Sequence, residues 1–329
     1  MILVKYLRKE DLKPYFYFAL EEYILNNLLK KNEVFFFLWI IKGIVIGKNQ
    51  VIENEINLEF IKKNKISIFR RPTGGGCVFN DTKTPLFSII TKKNVGFSFK
   101  QYLSKIINSF QKLGINLYFS GRNDILLDNK KVSGSSFMEN KNGLIIHGTL
   151  LYDCDIETMV RCITVNDEKL ISKGIKSVSA RVTNLKKYLK NMNQKELMIY
   201  LENSLTDQTY ILNTDEIKKI EKMSEKYSSL EWLYHGHPPY SKILKKRFEW
   251  GNIEILLYLK QGKIEKIILT GDFFHNSDQS LSFFLDKFKN IFYNKENIKK
   301  IAENININDY ILNAENKDFF SLLEEGVLY

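Results

Sequence analysis

Residues 70–81 read Arg70-Arg71-Pro72-Thr73-Gly74-Gly75-Gly76-Cys77-Val78-Phe79-Asn80-Asp81, a glycine run set between two β-rich segments. Three consecutive glycines are costly to order, because glycine loses more backbone freedom on folding than any other residue. A folded chain keeps such a run where the backbone must turn with positive φ, or where something lies very close to it. The two arginines beside it carry about ten N–H donors in planar forks. Together with Asp81 they suit a phosphate or carboxylate; a purely structural turn explains the glycines equally well. The stretch is neither a Walker loop, since no Gly-Lys-Ser/Thr follows, nor a dinucleotide GxGxxG.

Around this turn the chain reads as alternating strands and helices. Residues 18–29 place apolar side chains at helical spacing, and 34–47 (VFFFLWIIKGIVIG) suggest two strands joined by a turn. That run is too short to span a bilayer and contains Lys42. Further strands are expected at 66–70, 86–91 and 144–152, and helices at 56–64 and 99–113. Residues 124–127 and 131–132 resemble a hairpin turning at Asp128-Asn129-Lys130. Residues 186–231 read as helical and polar. Beyond a Gly/Pro cluster (LYHGHPPYS), residues 247–274 alternate as a hairpin with Gln261-Gly262 at its turn, followed by helices at 280–292 and near the C-terminus. The division expected is 1–232 and 233–329.

The 329 residues, 44% hydrophobic and 13% aromatic, describe a folded protein large enough for two domains. No signal-peptide pattern opens the chain. Three cysteines fit neither a disulfide framework nor a metal spacing, so a cytoplasmic protein is expected. Of 49 Lys+Arg and 38 Asp+Glu, 13 of each lie in residues 233–329, so residues 1–232 carry the whole net charge of +11. Either an anionic partner or a solvated basic surface accounts for that. No helix–turn–helix, zinc-finger or RNP-type motif supports nucleic acid, and nothing suggests a membrane.

Three more blocks carry chemistry. In GRNDILLDNKKVSGSS (residues 121–136), Asn123 and Asp124 are adjacent oxygen donors of the kind that hold Mg²⁺ bridging phosphates. Lys131 closes the hairpin beside Ser133, Gly134 and Ser135, where it can neutralise a phosphate or an acyl oxygen; an ordinary surface hairpin is the alternative. His147 in HGTLLYDCD is either a packed histidine or a catalyst, and Gly148 and Thr149 could meet a ligand. In KGIKSVSARVTNL (residues 173–185), Lys173, Lys176 and Arg181 surround small residues including Ser177 and Val178.

In order and spacing, these four blocks together resemble the lipoate–protein ligase family. ALEEYIL (residues 19–25), VIGKNQ (45–50), RFEWG (247–251) and GDFF (271–274) add to the resemblance, which spans essentially the whole chain. It implies an α+β biotin/lipoate ligase-like catalytic domain, related to class II tRNA synthetases, with a small α+β accessory domain. The implied reaction converts lipoate and Mg-ATP to lipoyl-AMP and pyrophosphate. A lysine of a lipoyl-carrier protein then takes the lipoyl group and AMP leaves. ATP, Mg²⁺ and lipoate are thus the implied small molecules, and the glycine-cleavage H protein and E2 lipoyl domains of 2-oxoacid dehydrogenases are the implied partners of a monomer.

By resemblance, Arg70, Arg71, Thr73, Gly74, Gly75, Gly76, Asn80 and Asp81 line the adenylate channel. Arg70 meets the carboxylate or phosphate, Asn123 and Asp124 hold Mg²⁺, and Lys131 is the catalytic residue. His147, Gly148, Thr149, Ser177, Val178 and Arg181 complete the binding set. Two positions depart from the family pattern: Asn80 replaces a histidine, and Lys48 replaces an arginine, keeping charge without bidentate geometry. The rival is a lipoyl/octanoyl transferase of the same fold, which forms a cysteine thioester without ATP. Here no cysteine lies near the lysine motif, and Cys77 is the thiol that reading would need. A biotin ligase motif (GRGRxxRxW) is missing, and the presence of Lys131 and Asp124 argues against a fold kept only for binding.

Overall fold

The computed structural model describes residues 1–6, 13–31, 33–92, 99–120, 123–163, 178, 180–235, 240–271, 273–274 and 280–327. The chain divides into two units, Met1–Leu233 and Tyr234–Tyr329. The first holds β1 (Ile2–Tyr6), β2 (Val34–Trp39), β3 (Gly43–Ile46), β4 (Ile68–Arg70), β5 (Val78–Asn80), β6 (Leu86–Thr91), β7 (Tyr118–Phe119), β8 (Asp124–Leu127), β9 (Lys130–Asn140), β10 (Gly143–Thr149) and β11 (Gln208–Leu212). Eight of these form one sheet in the order β11-β1-β2-β6-β10-β9-β8-β7, and three form a second in the order β4-β3-β5. Strand β1 runs parallel to both β11 and β2, whereas β2, β6, β10, β9, β8 and β7 pair antiparallel.

The large sheet is buried on both faces, which explains why β2 is apolar at nearly every position instead of alternating. Phe36 and Leu38 of β2, with Phe87 and Ile89 of β6, pack into one layer with the helices Phe99–Gln111 and Gln194–Leu205. Phe35, Phe37 and Trp39, with Leu86 and Ile90, pack into the other layer against helix α1 (Pro14–Tyr23) and the helix Thr214–Ser228. Proline at the start of α1 suits a helix N-terminus, where its missing N–H is no loss. This helix ends in a π turn, Ile24–Leu28, closed by Leu29 N–H donating to Ile24 O at 3.0 Å.

Several elements match their sequence reading, β6 residue for residue. The β8–β9 hairpin turns through Asp128 and Asn129 at φ 49° and 61°, the left-handed pair that matches strand twist. One reading gains a detail and another needs correction. The run 34–47 does yield two strands, but β2 and β3 enter different sheets. Gly43 makes the crossing possible: its φ is 140°, and a Cβ there would lie 2.5 Å from Ser67 O. Within the supposedly helical stretch 186–231 lies β11, whose pairing with β1 joins Ile2 to Gln208 across the sequence.

The second unit is a three-stranded antiparallel sheet, β12 (Tyr240–Phe248), β13 (Gly251–Lys260) and β14 (Lys263–Gly271), with helices on one face. The expected hairpin is β13–β14, and β12 before it adds a third strand. Its β13–β14 turn uses Gln261 and Gly262 at φ 49° and 77°. Alternate residues Ile253, Ile255, Leu257 and Leu259 face Phe284, Phe288 and Phe319, giving this unit its own core.

We expect Gly43→Ala to destabilise the protein by about 2 kcal/mol, since both the φ and the space forbid a Cβ. Urea denaturation reads this directly, and a loss below about 0.5 kcal/mol would contradict the crossing argument.

Candidate active site

The glycine turn links β4 to β5 beside β3, and of the two arginines only Arg71 hydrogen-bonds to it directly. Arg70 is almost fully buried (1% exposed) and donates to main-chain carbonyls. Its Nε reaches Leu233 O at 2.6 Å, and Nη1 reaches the carbonyls of Gly47, Lys48 and Gln50 at 2.8–2.9 Å. It therefore organises the segment VIGKNQ, and it is not among the residues that line the cavity described below. Arg71 wraps the turn itself. Nη2 donates to Gly74 O and Gly76 O, both at 2.7 Å, Nη1 to Val45 O at 3.1 Å, and Nε to Thr73 Oγ1 at 3.0 Å. Burial lowers its pKa to about 10, so it stays charged at neutral pH.

Gly75 sits at φ 89°, and a Cβ on Gly47 would fall 2.1 Å from Gly75 O. Positive φ and close approach are thus both met, and what approaches is another piece of backbone.

Beside the turn a cavity opens between the two sheets. One part is apolar, lined by Phe18, Trp39, Val45, Val78 and Leu86. The other is polar, lined by Asn123, Lys131, Gly134 and Thr149. Arg71, Gly75, Gly76, Cys77, Ser136 and His147 also line it. Lys131 Nζ forms an ion pair with Asp124 Oδ1 at 2.8 Å, both side chains partly exposed. The lysine lies flat over Gly134, where a Cβ would be 2.7 Å from Nζ. Asn123 fixes the neighbouring strand twice, donating from Nδ2 to Ser135 O and accepting Ser135 N–H at its own carbonyl, each 2.9 Å.

The floor of the cavity is polar and buried. His147 lies between Glu21 of α1, 2.9 Å from Nδ1, and Thr73, 2.7 Å from Nε2. Ser136 Oγ stands 2.6 Å from Thr73 Oγ1 and 2.7 Å from Gly74 O. His147 and Thr149 share the α1 side of β10, while Gly148 faces Phe87, with no room for a Cβ.

Residues 13–206 match the lipoyl protein ligase A/B catalytic domain family, and 237–323 match the bacterial lipoate protein ligase C-terminus. The chain belongs to the lipoate–protein ligase family. It is 32% identical to a lipoate-protein ligase of Bacillus subtilis over 93% of this chain and 95% of that one. It is 35% identical to lipoate–protein ligase 1 of Staphylococcus aureus over 79% and 82%. Its fold resembles a lipoate-bound LipL1 of P. falciparum (TM-score 0.61, 24% identity, 100% and 99% covered). It also resembles an ATP-bound lipoate-protein ligase A (TM-score 0.59, 20% identity, 70% and 98% covered).

Within this ligase fold the expected site residues separate. Arg71, Gly75, Gly76, Asn123, Lys131, His147, Gly148 and Thr149 line one cavity; Thr73, Gly74 and Asp124 touch residues that do. Arg70 and Asp81 do not join them. Asp81 instead stabilises its own turn, accepting from Lys83 N–H, Thr84 Oγ1 and Asp155 N–H. Asn80 is fully buried outside the lining, and its amide makes no hydrogen bond among the described residues. Ser177 lies outside the described residues. Val178 and Arg181 belong to a segment that returns beside the lysine, where Thr183 N–H donates to Lys131 O at 3.0 Å.

The transferase reading loses its nucleophile. Burial pushes the Cys77 thiol up to about 12, and Cys154 and Cys162 likewise, so none supplies thiolate at neutral pH.

Among the described residues no group of three or more His, Cys, Asp or Glu gathers as a metal cluster, and no helix is long and apolar enough to cross a membrane. Sequence reasoning missed Phe18, Trp39, Glu21 and Ser136. The signal for Glu21 was present, a carboxylate on the apolar side of the first helix.

Gly134→Ala should displace Lys131 from Asp124 and cut lipoate-dependent pyrophosphate exchange by about 10- to 100-fold. The melting temperature should stay close to wild type, and full activity would show that the lysine's position is not set by this glycine.

Proposed function

We propose that this ligase activates lipoate with ATP to lipoyl-AMP and then passes the lipoyl group to a lysine of a carrier protein. The observation that carries the reading is a cationic lysine at the polar end of a cavity whose other part is apolar. A long thin acid fits that polarity with its tail among Phe18, Trp39 and Leu86 and its carboxylate towards Lys131. The similarity to an ATP-bound and a lipoate-bound relative agrees with both substrates.

Each step then has residues to serve it. Adenylation brings a carboxylate against a phosphate, and Lys131 offsets the repulsion between them. In transfer the acyl carbonyl oxygen gains charge as the amine adds, and the same ammonium stabilises it. Asp124 keeps the ammonium over Gly134, and Asn123 anchors the strand behind it. Gly148 and Thr149 line the same cavity and would meet the adenylate, with Val178 and Arg181 helping to exclude water. Asn123 and Asp124 would hold Mg²⁺. One carboxylate and one amide oxygen are hard donors suited to an ion that takes its other ligands from phosphate and water, and the ion would supply neutralisation of the phosphate charge.

The acceptor is an acidic lipoyl-carrier domain, an E2 lipoyl domain or glycine-cleavage H protein, met by a monomer in the cytoplasm. The excess charge of +11 in residues 1–232 would steer that encounter.

Intact-complex mass spectrometry with lipoate and Mg-ATP, without acceptor, should detect bound lipoyl-AMP; an acyl-cysteine adduct formed without ATP would sink the reading. Lys131→Ala should reduce adenylation by about 10²- to 10³-fold. Transfer to a carrier should slow as salt rises from about 0.02 to 0.3 M, while adenylation barely changes. A transfer rate indifferent to salt would remove charge steering.

A further inference from the structure

Glu21 is fully buried (0% exposed) in the middle of α1, and it does not line the cavity. A carboxylate there is expensive unless every oxygen is satisfied. Its partners lead in two directions. Ser88 Oγ donates to Glu21 Oε1 at 2.5 Å and itself receives Trp39 Nε1–H at 2.9 Å. On the other side His147 Nδ1 lies 2.9 Å from Oε1 and 3.2 Å from Oε2. The chain continues through His147 Nε2 to Thr73 and on to Ser136 and Gly74 O. Trp39 at one end, and Gly75 and Gly76 just past the other, are walls of the same cavity.

The proton logic is constrained. An ionised carboxylate only accepts, so His147 must carry a proton on Nδ1. Thr73 Oγ1 already accepts from Arg71 Nε, which only donates. Thr73 has one proton and one lone pair left for His147 and Ser136, so it gives to one and receives from the other. With neutral His147, Nε2 accepts from Thr73 and Ser136 gives its one proton to Thr73, leaving Gly74 O to the Arg71 guanidinium. Deleting the carboxylate removes the only reason for Nδ1–H. The proton then moves to Nε2, Thr73 must donate to Ser136, and Ser136 turns to Gly74 O. The whole chain reverses.

We propose that Glu21 is a positioning residue of the ligase. It fixes the Nδ1–H form of His147 and thereby ties the tryptophan wall of the acyl cavity to the glycine-turn wall. The inference rests on the proposed function for what the cavity holds, but not for the tie itself. Glu21 touches no substrate and acts through His147, Thr73 and Ser88.

The test uses ¹⁵N-histidine NMR on the full chain without ligand, with His147 assigned among the four histidines by His147→Gln. Wild type should show a protonated Nδ1. Glu21→Leu should move the proton to Nε2 and raise the KM for lipoate about tenfold or more, leaving the KM for ATP unchanged. Glu21→Gln, which keeps an oxygen acceptor, should restore most of both. A bare Nδ1 in wild type overturns the proposal. So does a Glu21→Leu enzyme that loses kcat and melting temperature with both KM values preserved, since that marks a merely structural carboxylate. If wild type forms no lipoyl-AMP, the functional reading fails, and the nitrogen signals alone still decide whether the tie exists.

Discussion

The structure depends on the double burial of its large sheet. Helices cover both faces, so a polar group inside is costly unless it finds a partner within the protein or lies on the cavity. That constraint explains why one face carries Glu21, Ser88, Thr73 and His147 as a connected set and not as scattered polar residues. It also explains the arginines. A glycine turn exposes carbonyls that no strand partner satisfies, and Arg71 supplies their donors from within the turn.

Elements set by local chemistry were legible in the sequence. The β8–β9 turn follows from Asp128-Asn129, and β6 from a short apolar run between polar flanks. Strand β11 was not legible, because it is a short edge strand whose sense comes from pairing with β1 some two hundred residues away. Trp39 was hidden for the opposite reason: in a strand buried on both faces, a cavity-lining residue and a core residue look alike. The arginines show a subtler limit. Residue types told that something needed many N–H donors beside the glycines. Only coordinates tell that the acceptors are mostly the chain's own carbonyls, and that Arg71 lines the cavity while Arg70 does not.

The candidate site therefore joins a part set by the core to a part held by a single ion pair. The apolar part is built from strands and α1, whose places are set by the core. At the polar end, a partly exposed lysine is held by one carboxylate over a glycine, with no core packing to fix it.

Cys77 stands in the wall of a cavity suited to an activated acyl group, and thiolates attack such groups readily. Burial pushes its pKa up to about 12, which keeps it in the thiol form at pH 7. Burial thus works as chemical insulation: a cysteine can stand in the wall of such a cavity and still be spared from reacting with what it would hold.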